Sequence, residues 1–361
     1  MKKIALLTLS IFVATTALSQ NGEPKTIPLT DAERQLVEQN SNFAFNLFRK
    51  TRGTENHIIS PLSITYALGL LNNGAEGITR DEICQLLSGG RQTGYADVAT
   101  MNAFCRKILT ESALLDENTR LAIANTIYFN GDRGELSLKS AFKDAAATYY
   151  DATPSVLSFS DEATLDIINQ WAIDKTDGMI RDLLKPEELQ NPDLVSILLN
   201  AISFKGAWVH SFWENNTKKA YFDNMQRTAM MMYQYSTFLY AENDLYQSVI
   251  LPYGNGSYQM TLFLPRLGKT LDDVVAAMNG TNWNSAEYKD YEVDANIRAY
   301  NYLKEHGEDV SSWDTKSFPL TGDSDINDEW WHYYVGYNLW LVEVPLLYTA
   351  SLLTPLFGII N

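Results

Sequence analysis

The sequence predicts an α+β fold in which a buried helix lies beneath a large sheet. Three observations carry this expectation. Helical and strand patterns are mixed without a repeating βαβ rhythm, which favours α+β over a doubly wound parallel sheet. The stretch SPLSITYALGLL at residues 60–71 has a helix start but no polar face. Two long runs, LAIANTIYF at 121–129 and LVSILLNAISF at 194–204, are apolar, rich in β-branched residues and free of alternation. Such runs fit central strands covered on both faces.

The elements follow in chain order. Lys2 and Lys3 precede an apolar run, and small residues at Ala17 and Ser19 fit a cleavage site, so residues 1–19 read as a secretory signal peptide. Thr30-Asp31-Ala32-Glu33 is a capping box, followed by Leu36/Val37, Phe43/Ala44 and Leu47/Phe48 at helical spacing. Ser60 is a good N-cap, and Pro61 suits the first helical position, where its missing N–H costs nothing. Leu62, Ile64, Tyr66, Ala67, Leu68, Leu70 and Leu71 then surround that helix, so it is expected to be buried on nearly every side. Asn72-Asn73-Gly74 ends it, and Thr79-Arg80-Asp81-Glu82 is expected to cap the next. Between the two apolar runs, Leu165, Ile168 and Trp171/Ala172 mark one face of a helix. QSVILPYGNGSYQMTLFLP at 247–265 reads as a hairpin closed by Gly254-Asn255-Gly256-Ser257, residues that tolerate positive φ. No internal repeat or low-complexity linker interrupts residues 20–295, which are expected to form one domain.

Composition narrows the function classes. The 361 residues are 45% apolar and 20% charged, enough for a sizeable core. The formal charge of −16 repels phosphate backbones, which argues against nucleic acid as a partner. Cys84 and Cys105 are the only cysteines, too few for a disulfide scaffold. They are able to pair in an oxidising compartment, but their spacing does not show that the side chains meet. His57, His210, His306 and His332 show no ligand spacing, and no G-x-S-x-G elbow, H-E-x-x-H pair or phosphate loop occurs. An enzyme is therefore not expected, and neither a metal nor a cofactor is.

Several segments resemble the serpins. SPLSI at 60–64 with LNNGAEGITRDEI at 71–83 is similar to serpin helix B and its neighbour. NTIYF at 125–129 resembles the second strand of the family's main sheet. INQWAIDKTDGMIRDLL at 168–184 is similar to helix F and the turn after it, and LLNAISFKGAW at 198–208 to the third strand and its exit. MMY from residue 231, LPY from 251 and LFLPR from 262 fall in the family's order. The resemblance covers about residues 37–295.

It implies a serpin-type inhibitor of serine, or cysteine, endopeptidases: secreted, monomeric, with a protease as its partner. An exposed loop would be offered as substrate, and after attack it would insert into the main sheet as a new strand, distorting the tethered protease. The inhibitor itself supplies no catalytic residue. By match to the motifs, Ser60, Ser63 and Asn200 would be structural residues of the shutter, where the middle strands part. Trp208 would sit at the breach, where insertion begins. The same residues also read simply as a capped helix, a locally paired strand amide and a core tryptophan.

The resemblance stops after YEVD at 291–294. No glutamate followed by a run of small residues, no His-Pro pair and no shutter histidine occurs from 295 to 361, so the reactive-site residue has no candidate. Residues 296–361 read as a divergent tail lacking the hinge and the reactive loop. Polar, acidic residues 304–329 are followed by 330–360, where Glu343 is the only acidic side chain and neither Lys nor Arg occurs. Three readings of this tail stand open: a reading-frame replacement of the true end, a divergent segment packed on the body, or a membrane anchor. The anchor fits worst, because residues 344–360 hold Pro345 and Pro355 and a span takes about 20 residues. Without a reactive loop, the alternative function is a non-inhibitory serpin-like binding or structural protein. Asp323, Asp325 and Asn327 start a calcium-loop pattern, but Asp328 replaces its glycine and Tyr334 its final glutamate. A solvated acidic turn fits better.

Overall fold

The computed structural model describes residues 23–290, apart from 54–56, 89–96, 213, 223–226, 233–237, 267 and 287. The expected signal peptide, the calcium-like turn and the tail at 296–361 lie outside the described residues. Helix α1 spans Asp31–Thr51, and its capping box forms as expected, with Thr30 and Glu33 each satisfying the other's backbone N–H. Helix α2 spans Pro61–Asn72 with Ser60 as its N-cap. Its Tyr66 and Leu70 are fully buried and Leu62 is buried, while Leu68 is half-buried and Leu71 exposed, so the expected burial on nearly every side holds for part of the helix only. Helix α3 spans Gly77–Leu87. It starts two residues before the expected Thr79 cap, without a side-chain cap, because Gly77 makes the turn at φ 58°.

Helix α4 (Val98–Ser112) leads into strand β1 (Arg120–Asn130), followed by helix α5 (Ser140–Tyr150), strand β2 (Ser155–Leu157), helix α6 (Glu162–Lys175) and the short helix α7 (Pro186–Leu189). Strand β3 (Ser196–Lys205) completes a three-stranded sheet in the order β2-β1-β3. β1 and β3 run antiparallel in unbroken register from Arg120↔Lys205 to Phe129↔Ser196. Strands β4 (Lys218–Phe222) and β5 (Arg227–Met231) pair with each other. Strands β6 (Leu239–Glu242), β7 (Tyr246–Tyr253), β8 (Tyr258–Pro265) and β9 (Lys289–Asp290) form a second sheet in the order β8-β7-β6-β9. The β7–β8 hairpin is the one expected, with Gly254 and Gly256 at φ 54° and 89°. Helices α8 (Leu271–Ala277) and α9 (Gly280–Ser285) pack on α1 around Phe45, Val274 and Trp283.

Period-2 alternation divides the three-stranded sheet between two cores. Ile127, Leu198, Ile202 and Phe204 join Leu62, Tyr66 and Leu70 of α2 in the larger core. Tyr128, Ile197 and Leu199 face the other way, onto Ile168 of α6. β1 is central, as expected. Among the described residues β3 pairs only with β1, and Ile197–Asn200 are half-buried where their β1 partners Asn125–Tyr128 are buried. Composition alone cannot distinguish an edge strand from a central one, because pairing partners come from distant sequence. Cys84 and Cys105 are separate, buried thiols. Among the described residues no helix is long and apolar enough to cross a membrane, and no group of acidic, Cys and His side chains is placed to hold a metal ion.

Candidate functional site

The candidate site is the β3 side of the three-stranded sheet with the helix beneath it. Asn125 and Asn200 are register partners on the face that meets α2 and α5. The Asn200 amide N–H donates to the Asn125 carbonyl oxygen at 2.7 Å, and the Asn125 amide donates to the Tyr150 main-chain carbonyl at 2.9 Å. The chain of polar contacts then crosses to the helices. The Tyr150 hydroxyl donates to Asn102 Oδ1 at 2.7 Å, and Asn102 and Asn73 exchange amide hydrogen bonds. The Tyr66 hydroxyl donates to the Cys105 carbonyl at 2.8 Å, with its ring edge-on to Tyr150 at 6.2 Å. Helix α2 comes this close because residue 69 is glycine; a Cβ there would stand 2.6 Å from the Tyr150 hydroxyl oxygen.

These groups are uncharged at neutral pH. Burial, then the neighbouring Cys105, raises the Tyr150 phenol far above its usual range. Burial pushes the Cys105 thiol up to about 12 and also raises Cys84. Neither thiol is a reactive nucleophile under these conditions. One buried polar atom at the sheet lacks a partner: Asn200 Oδ1 accepts nothing among the described residues. A buried amide oxygen without a donor is a cost that a further segment on this side would remove.

The sequence-derived residues are brought together only in part. Ser60 caps α2, accepting from the Ser63 N–H at 3.3 Å, and α2 packs on β3. Neither serine hydrogen-bonds Asn200, whose amide partner is Asn125. Trp208 stands beyond the end of β3, bridged to Tyr253 and stacked on its ring at 4.1 Å and 19°. Asn125, Tyr150 and Asn102 escaped the sequence reading, since isolated asparagines and tyrosines carry no spacing signal. A polar residue inside the apolar run LAIANTIYF was the one available hint, because a buried amide requires a partner.

The chain matches the family described as serpin (serine protease inhibitor) over residues 38–297. It is 32% identical to Serpin B6 of Macaca fascicularis over 242 residues, covering 64% of this chain and 62% of that protein. It is 27% identical to neuroserpin of Homo sapiens over 265 residues, or 69% of this chain and 63% of that protein. The chain thus spans less than two thirds of the length of these relatives. Among solved structures, the thermophilic serpin tengpin in its latent state superposes with a TM-score of 0.63 at 23% identity, covering 73% of this chain and 70% of that one.

Proposed function

We propose a function for this chain from one premise: it belongs to the serpin family. The reading is a secreted, monomeric inhibitor of serine, or cysteine, endopeptidases that works by adding a strand on the side of β3 away from β1. The observation that supports it is the geometry of β3. This ten-residue strand has one edge paired to β1, none paired on the other among the described residues, and a buried Asn200 oxygen awaiting a donor. Strand addition would satisfy a row of backbone groups at once. In this reading Ser60, Ser63 and Asn200 stabilise the sheet where its strands part, and Trp208 marks the end where addition begins. The protease's own nucleophile makes and breaks the covalent bond, and the inhibitor contributes shape and stored free energy. The working body is the single domain at residues 20–295.

A second reading, a non-inhibitory binding protein, is favoured by one sequence fact: residues 295–361 contain no glutamate followed by small residues. Mixing the full chain with a panel of serine and cysteine proteases separates the two. A complex that survives SDS supports inhibition by strand addition. Plain cleavage or no reaction supports the second reading, and hydrolysis of an added substrate by the chain itself overturns both.

A further inference from the structure

A buried carboxylate that the proposed function leaves unused stands at the tip of the β7–β8 hairpin. Asp116, in the connection between α4 and β1, is 4% exposed. It accepts from the Asn118 N–H at 3.0 Å, from the Thr119 hydroxyl at 2.5 Å and, across 139 residues, from the Asn255 N–H at 3.2 Å. The Asn255 amide donates in turn to the Leu115 carbonyl at 2.9 Å and the Glu23 carbonyl at 3.3 Å. The Ser257 hydroxyl accepts from the Lys25 N–H at 2.8 Å. Residue 254 is glycine at φ 54°, and a Cβ there would run into the Asp116 carboxylate. Hairpin tips are usually solvated, yet Asn255 and Ser257 are buried.

The same tip grips the end of β3. The Gly254 N–H donates to the Ala207 carbonyl at 2.8 Å, and the Val209 N–H to the Pro252 carbonyl at 2.9 Å. Trp208, between them, lies on the Tyr253 ring. Gly206 fits against Thr119, Phe204 and Tyr253, where a Cβ would come within 3.1–3.2 Å of each. We propose that Asp116 is a positioning residue for the exit of β3: by fixing the hairpin tip it holds Tyr253 beneath Trp208 and sets how readily residues 204–209 part from the hairpin. The inference stands on hydrogen-bond geometry and holds whether or not the chain inhibits a protease.

Hydrogen exchange on the full chain tests it. In Asp116→Ala, exchange is expected to rise together in residues 204–209 and 252–258 by about tenfold or more, the scale of one lost buried hydrogen bond to a charged group. Thr119→Val removes one hydroxyl donor at nearly constant shape, so it shows the same pattern at smaller amplitude and carries the test if the first variant fails to fold. Asp97→Ala, which removes a hydrogen-bonded carboxylate capping the far end of α4, leaves both segments unchanged. A rise confined to residues 112–119, an equal rise in Asp97→Ala, or a uniform rise that includes α1 and β1 overturns the proposal.

Discussion

β1 and β3 are nearly matched strands in unequal positions. They pair over ten residues, both are apolar and β-branched, and each places an asparagine opposite the other's. β1 has β3 along one side and β2 beside Tyr128–Asn130 on the other, and it buries Ala124–Tyr128. β3 has a neighbour on one side among the described residues, and its first five residues are half-buried. A strand's composition therefore reports how it packs above and below, and says little about what lies beside it in the sheet.

The largest effect that tests this contrast comes from a matched pair of truncations. Ile127 and Leu198 are register partners of equal size in one core. Ile127→Ala, at a site 1% exposed, is expected to cost about 3–4 kcal/mol, and Leu198→Ala about 1–2 kcal/mol. Chemical denaturation measures both, and equal losses would remove the distinction between the strands.

The asparagine pair sharpens it at a lower magnitude. Asn125→Ala strands both the Tyr150 carbonyl and the Asn200 amide, and is expected to cost about 2–3 kcal/mol. Asn200→Ala strands only the Asn125 oxygen and removes an already unpaired one, so about 1 kcal/mol is expected. The reverse order would show that Asn200 has a partner beyond the described residues.

Much of this was legible in sequence, and the misses share a cause. The capping box of α1, the Ser60-Pro61 start of α2 and the Gly-Asn-Gly-Ser hairpin are local, written in adjacent residues whose chemistry closes on itself. Thr79 misled because a Thr-x-x-Glu pattern suits a cap, whereas Gly77 makes the turn first and starts the helix. The Asn125–Asn200 pair and the Asp116 clasp depend on partners 75 to 139 residues away. No single segment records those contacts. Trp208 was found by motif, but the ring it stacks on, Tyr253, was not.

The smallest effect is a control remote from the sheet. Lys107 donates to Glu33 at 2.9 Å, joining α4 to α1. Burial raises the Glu33 carboxyl, but hydrogen bonds from Lys107 and Thr30 outweigh it and leave the group below its ordinary value. A lowered folded pKa contributes stability above the unfolded carboxylate range and loses it as pH falls through the folded value. Glu33→Gln is therefore expected to cost about 1 kcal/mol at neutral pH, with the difference shrinking below about pH 4. The Ile127/Leu198 contrast should keep its size over the same window, since neither side chain titrates.

The most direct test of strand addition is backbone hydrogen exchange of β1 and β3 before and after reaction with a protease that cleaves the chain. Residues 196–205 are expected to gain protection on reaction, while Tyr128 and Phe129 of β1, already paired on both sides, stay unchanged. Cleavage with no gain of protection in residues 196–205 would contradict it.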